Sequence, residues 1–332
     1  SFKNVNLNLE VTMKKLLTLI ILVMIIGNGT GFGQALSGDY YIPQGENPQG
    51  FASLAAAITS LNDNGCSGSV VFYIDGDLSE TGANLLINNV PLSATNNLTI
   101  KPAATKTPTV TFSGCTATSG ATQYTGFAIS NTSYITIDGS NTLNGETKDL
   151  TFLMNDATNG RNIIQLYGNC DNVTIKNLNI SYKDPMSTSN STRGIYLNGQ
   201  ASGACDNFTV NNCTIGSQSL TPYYALGLTG SSGSSIYCTN IYITNNILYG
   251  RIRPVYLYYV GTTGTTSEIM NNVIYTYGGI NATTTYTILF NTWNGVINIS
   301  NNILPTITTN NTVTSGIYGI SGLTAQTGAI CN

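Results

Sequence analysis

Asp171 and Asp206 are the residues of this chain best spaced for chemistry. They stand in Cys170-Asp171-Asn172 and Cys205-Asp206-Asn207, at equivalent places of two successive units. Two carboxyl groups about 5–10 Å apart across one groove can divide acid and base roles in glycoside hydrolysis. They could also share a proton or a cation. Arg193, in the loop that follows the first unit, is the nearest candidate to assist them. Asp in a turn also caps backbone N–H groups, which is the plainer role for both. The chain has no His, which excludes Ser-His and Cys-His nucleophile pairs and imidazole metal ligands. No metal site and no cofactor are expected. Ca²⁺ enters only if the carboxylates serve a lyase.

Stacking is the second chemistry on offer. The chain holds 20 Tyr, and strand alternation turns two rows outward: Gln165, Tyr196, Gly227, Tyr256 and Thr287, then Tyr167, Asn198, Thr229, Tyr258 and Leu289. Flat rings interleaved with amide and hydroxyl side chains suit sugar rings, which stack on aromatic faces and exchange hydrogen bonds with Asn and Thr. Tyr167, Tyr196, Asn198, Tyr256 and Tyr258 are the candidate contacts for a polysaccharide or cell-surface glycan, although Tyr is also simply a good strand former.

These residues need strands beneath them, and composition supplies strands. Charged residues make up only 8%, against about 25% in an ordinary soluble protein, so Asn, Thr, Ser and Gly must form the polar surface. That vocabulary belongs to strands and turns and excludes a mostly helical protein. Twelve basic and 15 acidic residues give a net charge of −3 without a basic stripe, which excludes nucleic acid as a partner.

A period decides the fold. The apolar positions 166, 197, 228, 257, 288 and 320 recur at steps of 31, 31, 29, 31 and 32 residues. In phase with them run second strands at Val173-Thr174-Ile175, Phe208-Thr209-Val210, Ile241-Tyr242-Ile243 and Val296 to Ile299, each followed by Asn and another apolar residue. Three short strands per unit describe an all-β, right-handed parallel β-helix solenoid with an apolar column inside. Asn177, Asn212, Asn246, Asn272 and Asn302 are expected to stack their amides as one ladder along the turn. Leu54, Ile58 and Leu61 fall on one helical stripe, so a short helix near residues 50–62 is expected to close the open end of the column.

The stretch from Tyr40 to Ile74, with Phe51 to Ile58, Leu61-Asn62, Asn64-Gly65 and Ser67 to Phe72, resembles the opening of secreted β-helix proteins of Bacteroidetes, within the pectate-lyase-like superfamily. Rungs such as Asn97 to Ile100 and Tyr134 to Gly139 continue the resemblance. It implies a cap over residues 35–75, a β-helix from 76 to 332 and export machinery engaged through a C-terminal sorting domain that is missing here, with the chain truncated. Enzymes of this fold commonly cleave acidic polysaccharides. Arg251-Ile252-Arg253-Pro254 matches their Arg motifs poorly, because polygalacturonases need a His and pectate lyases a second Arg further on. No catalytic role is transferred.

Met13-Lys14-Lys15, the apolar run Leu16 to Ile26 and a small-residue stretch read as a signal peptide over 13–34, preceded by an upstream segment, 1–12, without structural meaning. The mature chain would carry a net charge of −5 and be secreted or held at the outer cell surface. Seven Cys remain. Cys170, Cys205 and Cys238 should lie one rung apart, so that either one pair bridges or all three form a row of buried thiols. Cys66 and Cys115 are a second candidate pair, and Cys331 would lack a partner. The expectation is thus a non-catalytic carbohydrate-binding or adhesive module, with a polysaccharide lyase or glycoside hydrolase as the alternative.

Overall fold

The computed structural model describes residues 33–331, apart from residues 48, 82–84, 116–124, 157–161, 184–191, 202, 232, 234, 278–283, 306–316 and 324–329. The upstream segment and most of the leader therefore lie outside the described residues. One rung runs through Asn162–Tyr167, Val173–Lys176 and Leu178–Tyr182, and the next through Arg193–Asn198, Asp206–Asn211 and Thr214–Ile215. Strands at the same place in successive rungs pair in parallel, giving an eight-stranded sheet 1, a ten-stranded sheet 2 and a seven-stranded sheet 3 among the described residues. This is a right-handed parallel β-helix with three strands per rung. No helix among the described residues is long and apolar enough to cross a membrane.

Alternation builds the core. On sheet 1 the file Ile87, Ile129, Leu166, Leu197, Leu228, Leu257 and Phe290 is in register and buried. Sheet 2 supplies Phe72, Ile100, Ile137, Ile175, Val210 and Ile243 in the same manner. Each fully buried aliphatic or aromatic side chain contributes about 1.5–3 kcal/mol of transfer free energy. One step of the expected period, from 257 to 288, needs correction, while the last, from Ile288 to Ile320, is in register. Leu257 pairs with Phe290, not Ile288, and the outward Tyr256 and Tyr258 face Leu289 and Asn291, not Thr287 and Leu289. A shift of two residues leaves every side chain on its own face, so alternation alone does not detect it.

The single expected asparagine ladder is two ladders, one residue apart. Asn177, Asn212, Asn245, Asn271 and Asn301 occupy the corner between sheets 2 and 3 with φ between 51° and 59°, a left-handed conformation that Asn tolerates. There Asn212 Nδ2 donates to Asn177 Oδ1 (2.8 Å), and Asn177 Nδ2 donates to the Oδ1 of buried Asp138 (2.8 Å). The interior positions are the next ones along: Cys213, Asn246, Asn272 and Asn302. Asn246 Nδ2 donates to Asn272 Oδ1 and Asn272 Nδ2 to Asn302 Oδ1, both at 2.9 Å. Each of these amides also donates to a carbonyl of sheet 2, from Val210, Ile243 and Ile269. Gly139 takes the corner place one rung before Asn177, where a Cβ would run into the Asn177 carbonyl.

Helix α1, Leu54–Asn64, closes the N-terminal end as expected, burying Leu54, Ala57, Ile58 and Leu61. The Ser53 side chain caps it by accepting from Ala56 N (3.1 Å). The carboxylate of buried Glu80 accepts from Leu54 N (2.8 Å). Asn62 meets the first strand of sheet 1, donating to Leu86 O (2.7 Å) and accepting from Asn88 N (3.0 Å). The helix thereby satisfies part of an edge that would otherwise invite intermolecular pairing.

The cysteines follow the second of the two alternatives. Cys170, Cys205 and Cys238 stand on successive rungs, and all three are buried free thiols. Their hydrogen bonds are directed at corner carbonyls, with Cys170 Sγ donating to Tyr167 O (3.4 Å) and Cys205 Sγ to Gly168 O (3.7 Å). Burial pushes the Cys238 thiol up to about 12, which suppresses the thiolate that exchange chemistry needs. Cys66 and Cys115 are also unbridged, since Cys66 opens a strand of sheet 2 while Cys115 follows one of sheet 3. Cys331 closes the short strand Ile330–Cys331.

Candidate functional site

Asp171 and Asp206 sit at the corner between sheets 1 and 2, and the corner explains their oxygens. Asp171 N donates to Ser133 Oγ, Asp206 N to Asp171 Oδ1 and Thr239 N to Asp206 Oδ1, each at 2.9 Å. Thr239 Oγ1 adds a further bond to Asp206 Oδ1 at 2.6 Å. Each side chain at this position thus caps the backbone of its counterpart on the next rung. Burial, and next the Asp206 charge, raise the Asp171 carboxyl above the ordinary aspartate value, against the Asp206 N–H that lowers it.

Arg193 does not join them. It begins its sheet 1 strand, in register with Asn162 and Tyr224, while the aspartates lie beyond the far end of sheet 1. Five residues of extended chain separate the two ends, about 17 Å at roughly 3.3 Å per residue. Among the described residues no cluster of three or more Cys, Asp or Glu is arranged to hold a metal ion.

Asp171→Asn keeps an oxygen acceptor for the Asp206 N–H and removes the charge. Because the folded carboxyl is raised, its stabilising contribution is present below the ordinary aspartate pKa and lost as pH rises through the folded value. The Asn variant is therefore expected to be at least as stable as the wild type at pH 7, with the difference closing below about pH 4. Asp171→Ala, which loses the acceptor, is expected to cost about 1 kcal/mol. Thermal melts across this pH range check both outcomes.

The outward face of sheet 1 gathers the aromatic candidates. Tyr196 and Asn198 from one rung, Thr229 from the next and Tyr258 from the third line an open groove of about 370 Å³. Gly199, Gln200, Gly230 and Ser231 complete its wall. Two antiparallel bridges, Gln200 with Gly203 and Ser231 with Ile236, fold the chain back on itself there, so both wall segments are small hairpins at the end of sheet 1. Gly230 is required, since a Cβ would meet the carbonyls of Ile236 and Tyr259. The Tyr258 hydroxyl is held above the ordinary tyrosine value, by burial foremost and then by its hydrogen bond with Tyr259. The groove therefore offers uncharged hydroxyl and amide groups beside two rings, the lining that orients a polyol.

Two of the five candidates fall outside the groove. Tyr167 is the rung neighbour of Asn198 but does not line it. Tyr256 packs instead against Tyr224, with ring centroids 5.7 Å apart, and lies beside Tyr258 at 6.2 Å. The outward position Gln165 is not at the surface, being 1% exposed. Its Oε1 accepts from Thr125 Oγ1 (2.6 Å) and Asn162 Nδ2 (3.2 Å).

The wall residues Gln200 and Ser231 had a signal in the sequence. The distance from the inward Leu of sheet 1 to the first inward residue of sheet 2 lengthens from seven residues (Leu166 to Val173) to eleven (Leu197 to Phe208) and thirteen (Leu228 to Ile241). Extra length at an otherwise constant corner marks an excursion, and excursions from rigid scaffolds are where binding surfaces concentrate.

No protein-family model matches this chain, and no curated protein does either. Among solved structures it is similar to a GH136 lacto-N-biosidase from Eubacterium ramulus, at 9% identity and a TM-score of 0.48, over 86% of this chain and 67% of that one. It is also similar to the pectin methylesterase of Aspergillus niger, at 12% identity and a TM-score of 0.44, over 88% and 87% of the two chains. A third is PfbA, a surface adhesin of Streptococcus pneumoniae, at 15% identity and a TM-score of 0.35, over 77% and 75%. None of these figures assigns an activity to this chain.

Proposed function

We propose that this chain is an exported, non-catalytic carbohydrate-binding module, with its glycan in the groove on sheet 1. The observation behind this reading is the convergence of Tyr196, Asn198, Thr229 and Tyr258 from three successive rungs on one open, uncharged groove. Rings give a sugar an apolar face to pack on, and the Asn amide and Thr hydroxyl meet its hydroxyl groups. A rigid solenoid holds these groups in place before the ligand arrives, which lowers the entropy lost on binding. The enzymatic alternative would draw on Asp171 and Asp206, whose Oδ1 atoms accept backbone N–H groups, and on an arginine at the far end of the sheet.

A glycan array probed with the wild-type protein and with Tyr196→Ala tests the proposal. The wild type is expected to bind a restricted set of glycans, and the variant to lose most of that signal, about tenfold or more in affinity. Equal signals from both proteins, or no glycan retained by the wild type, would reject the groove.

A further inference from the structure

Strand alternation breaks at Tyr259, beside the groove. In Val255–Val260 the residues Val255 and Leu257 are buried while Tyr256 and Tyr258 face outward, so Tyr259 should turn inward. It does not, and Val260 takes the inward place with 1% exposure. The cause is the Tyr259 backbone, whose φ of 56° is left-handed and seldom adopted by a bulky residue. On earlier rungs the same place, one residue past the register position of Tyr258, is held by Asn89, Asn131, Gly168, Gly199 and Gly230. Asn and Gly tolerate a left-handed backbone, whereas tyrosine adopts it under strain. Strain of this kind persists only where the surroundings over-determine it, and it gathers at functional sites.

The strained backbone places a second ring next to the groove. The Tyr259 ring lies edge-on to that of Tyr258, with centroids 4.5 Å apart and planes at 72°. It also meets Tyr237, with centroids 5.2 Å apart, just beyond the Ser231–Ile236 bridge that shapes the groove wall. The Tyr258 and Tyr259 hydroxyls are hydrogen-bonded to one another. Main-chain bonds fix the same unit, with Gly230 N donating to Tyr258 O (2.7 Å) and Cys238 N to Tyr259 O (2.9 Å). Gly230 leaves room for the Tyr259 Cβ, since a Cβ of its own would lie 2.8 Å from it. Tyr259 itself does not line the groove.

We propose that Tyr259 is a positioning residue of the groove, its ring braced on Tyr237 so that the ring and hydroxyl of Tyr258 stand ready for the sugar. The proposal rests on the groove reading above, because Tyr259 acts only through Tyr258. A half-exposed tyrosine left to itself samples several rotamers and must be ordered when a ligand binds. Tyr259 does that ordering during folding, at the cost of strain in one residue.

The test uses a printed glycan array as the probe, read over a protein concentration series wide enough to follow a loss of about a hundredfold. Wild type, Tyr259→Asn, Tyr259→Phe, Tyr258→Ala and the double variant Tyr258→Ala/Tyr259→Asn are compared, with a thermal melt of each. Asn suits the left-handed backbone, so Tyr259→Asn should melt at or above the wild-type temperature. Its affinity should nevertheless fall about threefold to tenfold, and Tyr259→Phe, which keeps the ring, should recover most of it. A merely structural residue would lower affinity and melting temperature together. In the Tyr258→Ala background Tyr259→Asn should cause no further loss, because the ring it positions is gone. Wild-type affinity in Tyr259→Asn, with Tyr258→Ala deficient, would overturn the positioning role and leave the groove standing. An undiminished loss in the Tyr258→Ala background would do the same. Full affinity in Tyr258→Ala, or no glycan retained by the wild type, would overturn both.

Discussion

Asn272→Ala is expected to lower the free energy of unfolding by about 3 kcal/mol. Asn272 is fully buried, and its side chain makes four hydrogen bonds. It donates to Ile243 O (2.8 Å) and Asn302 Oδ1 (2.9 Å), and accepts from both the N–H and the Nδ2 of Asn246 at 2.9 Å. Truncation leaves the Asn246 donors without this acceptor and the Ile243 carbonyl without this donor, at about 1–3 kcal/mol for each buried group stranded. The neighbouring Asn271 provides the control, as an exposed corner residue with φ 58°. Glycine adopts that conformation freely, so Asn271→Gly should change stability by less than about 1 kcal/mol. Urea unfolding of the two variants separates the interior ladder from the corner row. Equal effects would mean that the two rows are not distinct.

Leu197→Ala is expected to cost about 2–5 kcal/mol, because the residue is fully buried in a file whose neighbours Leu166 and Leu228 are fixed by their own rungs. In a solenoid each rung rests only on its neighbours, so a cavity at the middle weakens the interfaces on both sides. Leu143 lies outside the column, 87% exposed, and Leu143→Ala should stay within about 0.5 kcal/mol of the wild type. Thermal denaturation of both variants checks the ranking. A small effect at Leu197 would place that residue outside the apolar file.

These residues also mark how far the sequence could be read. The recurrence of Leu166, Leu197, Leu228 and Leu257 was enough to place the interior file, because a buried column repeats its hydrophobic demand at every turn. It could not locate Phe290, since Ile288 offers an apolar residue of the same parity two places earlier and only the pairing distinguishes them. The Asn ladder was merged for a related reason. In Asn245-Asn246, Asn271-Asn272 and Asn301-Asn302 one residue meets the backbone demand of the corner and the next meets the polar demand of the interior. Asn177 and Asn212 meet only the first, and the apolar residue that follows each of them hid the difference.

The site divides in a similar way. Tyr196, Asn198 and Tyr258 were legible because strand periodicity fixes which side chains share a face. Arg193 was visible as a residue and not as a position: Tyr196 stands on its own strand, and Tyr224 is brought to it from the next rung by stacking. Asp171 and Asp206 were correctly aligned one rung apart, and what the sequence could not weigh was the backbone N–H groups that occupy their oxygens.

Glycan binding by Tyr258→Ala and Tyr275→Ala, measured side by side by calorimetry, tests the groove most directly. Tyr258 lines it, whereas Tyr275 is stacked on Tyr249 on sheet 3, with ring centroids 4.6 Å apart. Tyr258→Ala should weaken binding about tenfold or more while Tyr275→Ala binds as the wild type does. Full affinity in Tyr258→Ala, or an equal loss in both variants, would contradict a glycan site on sheet 1.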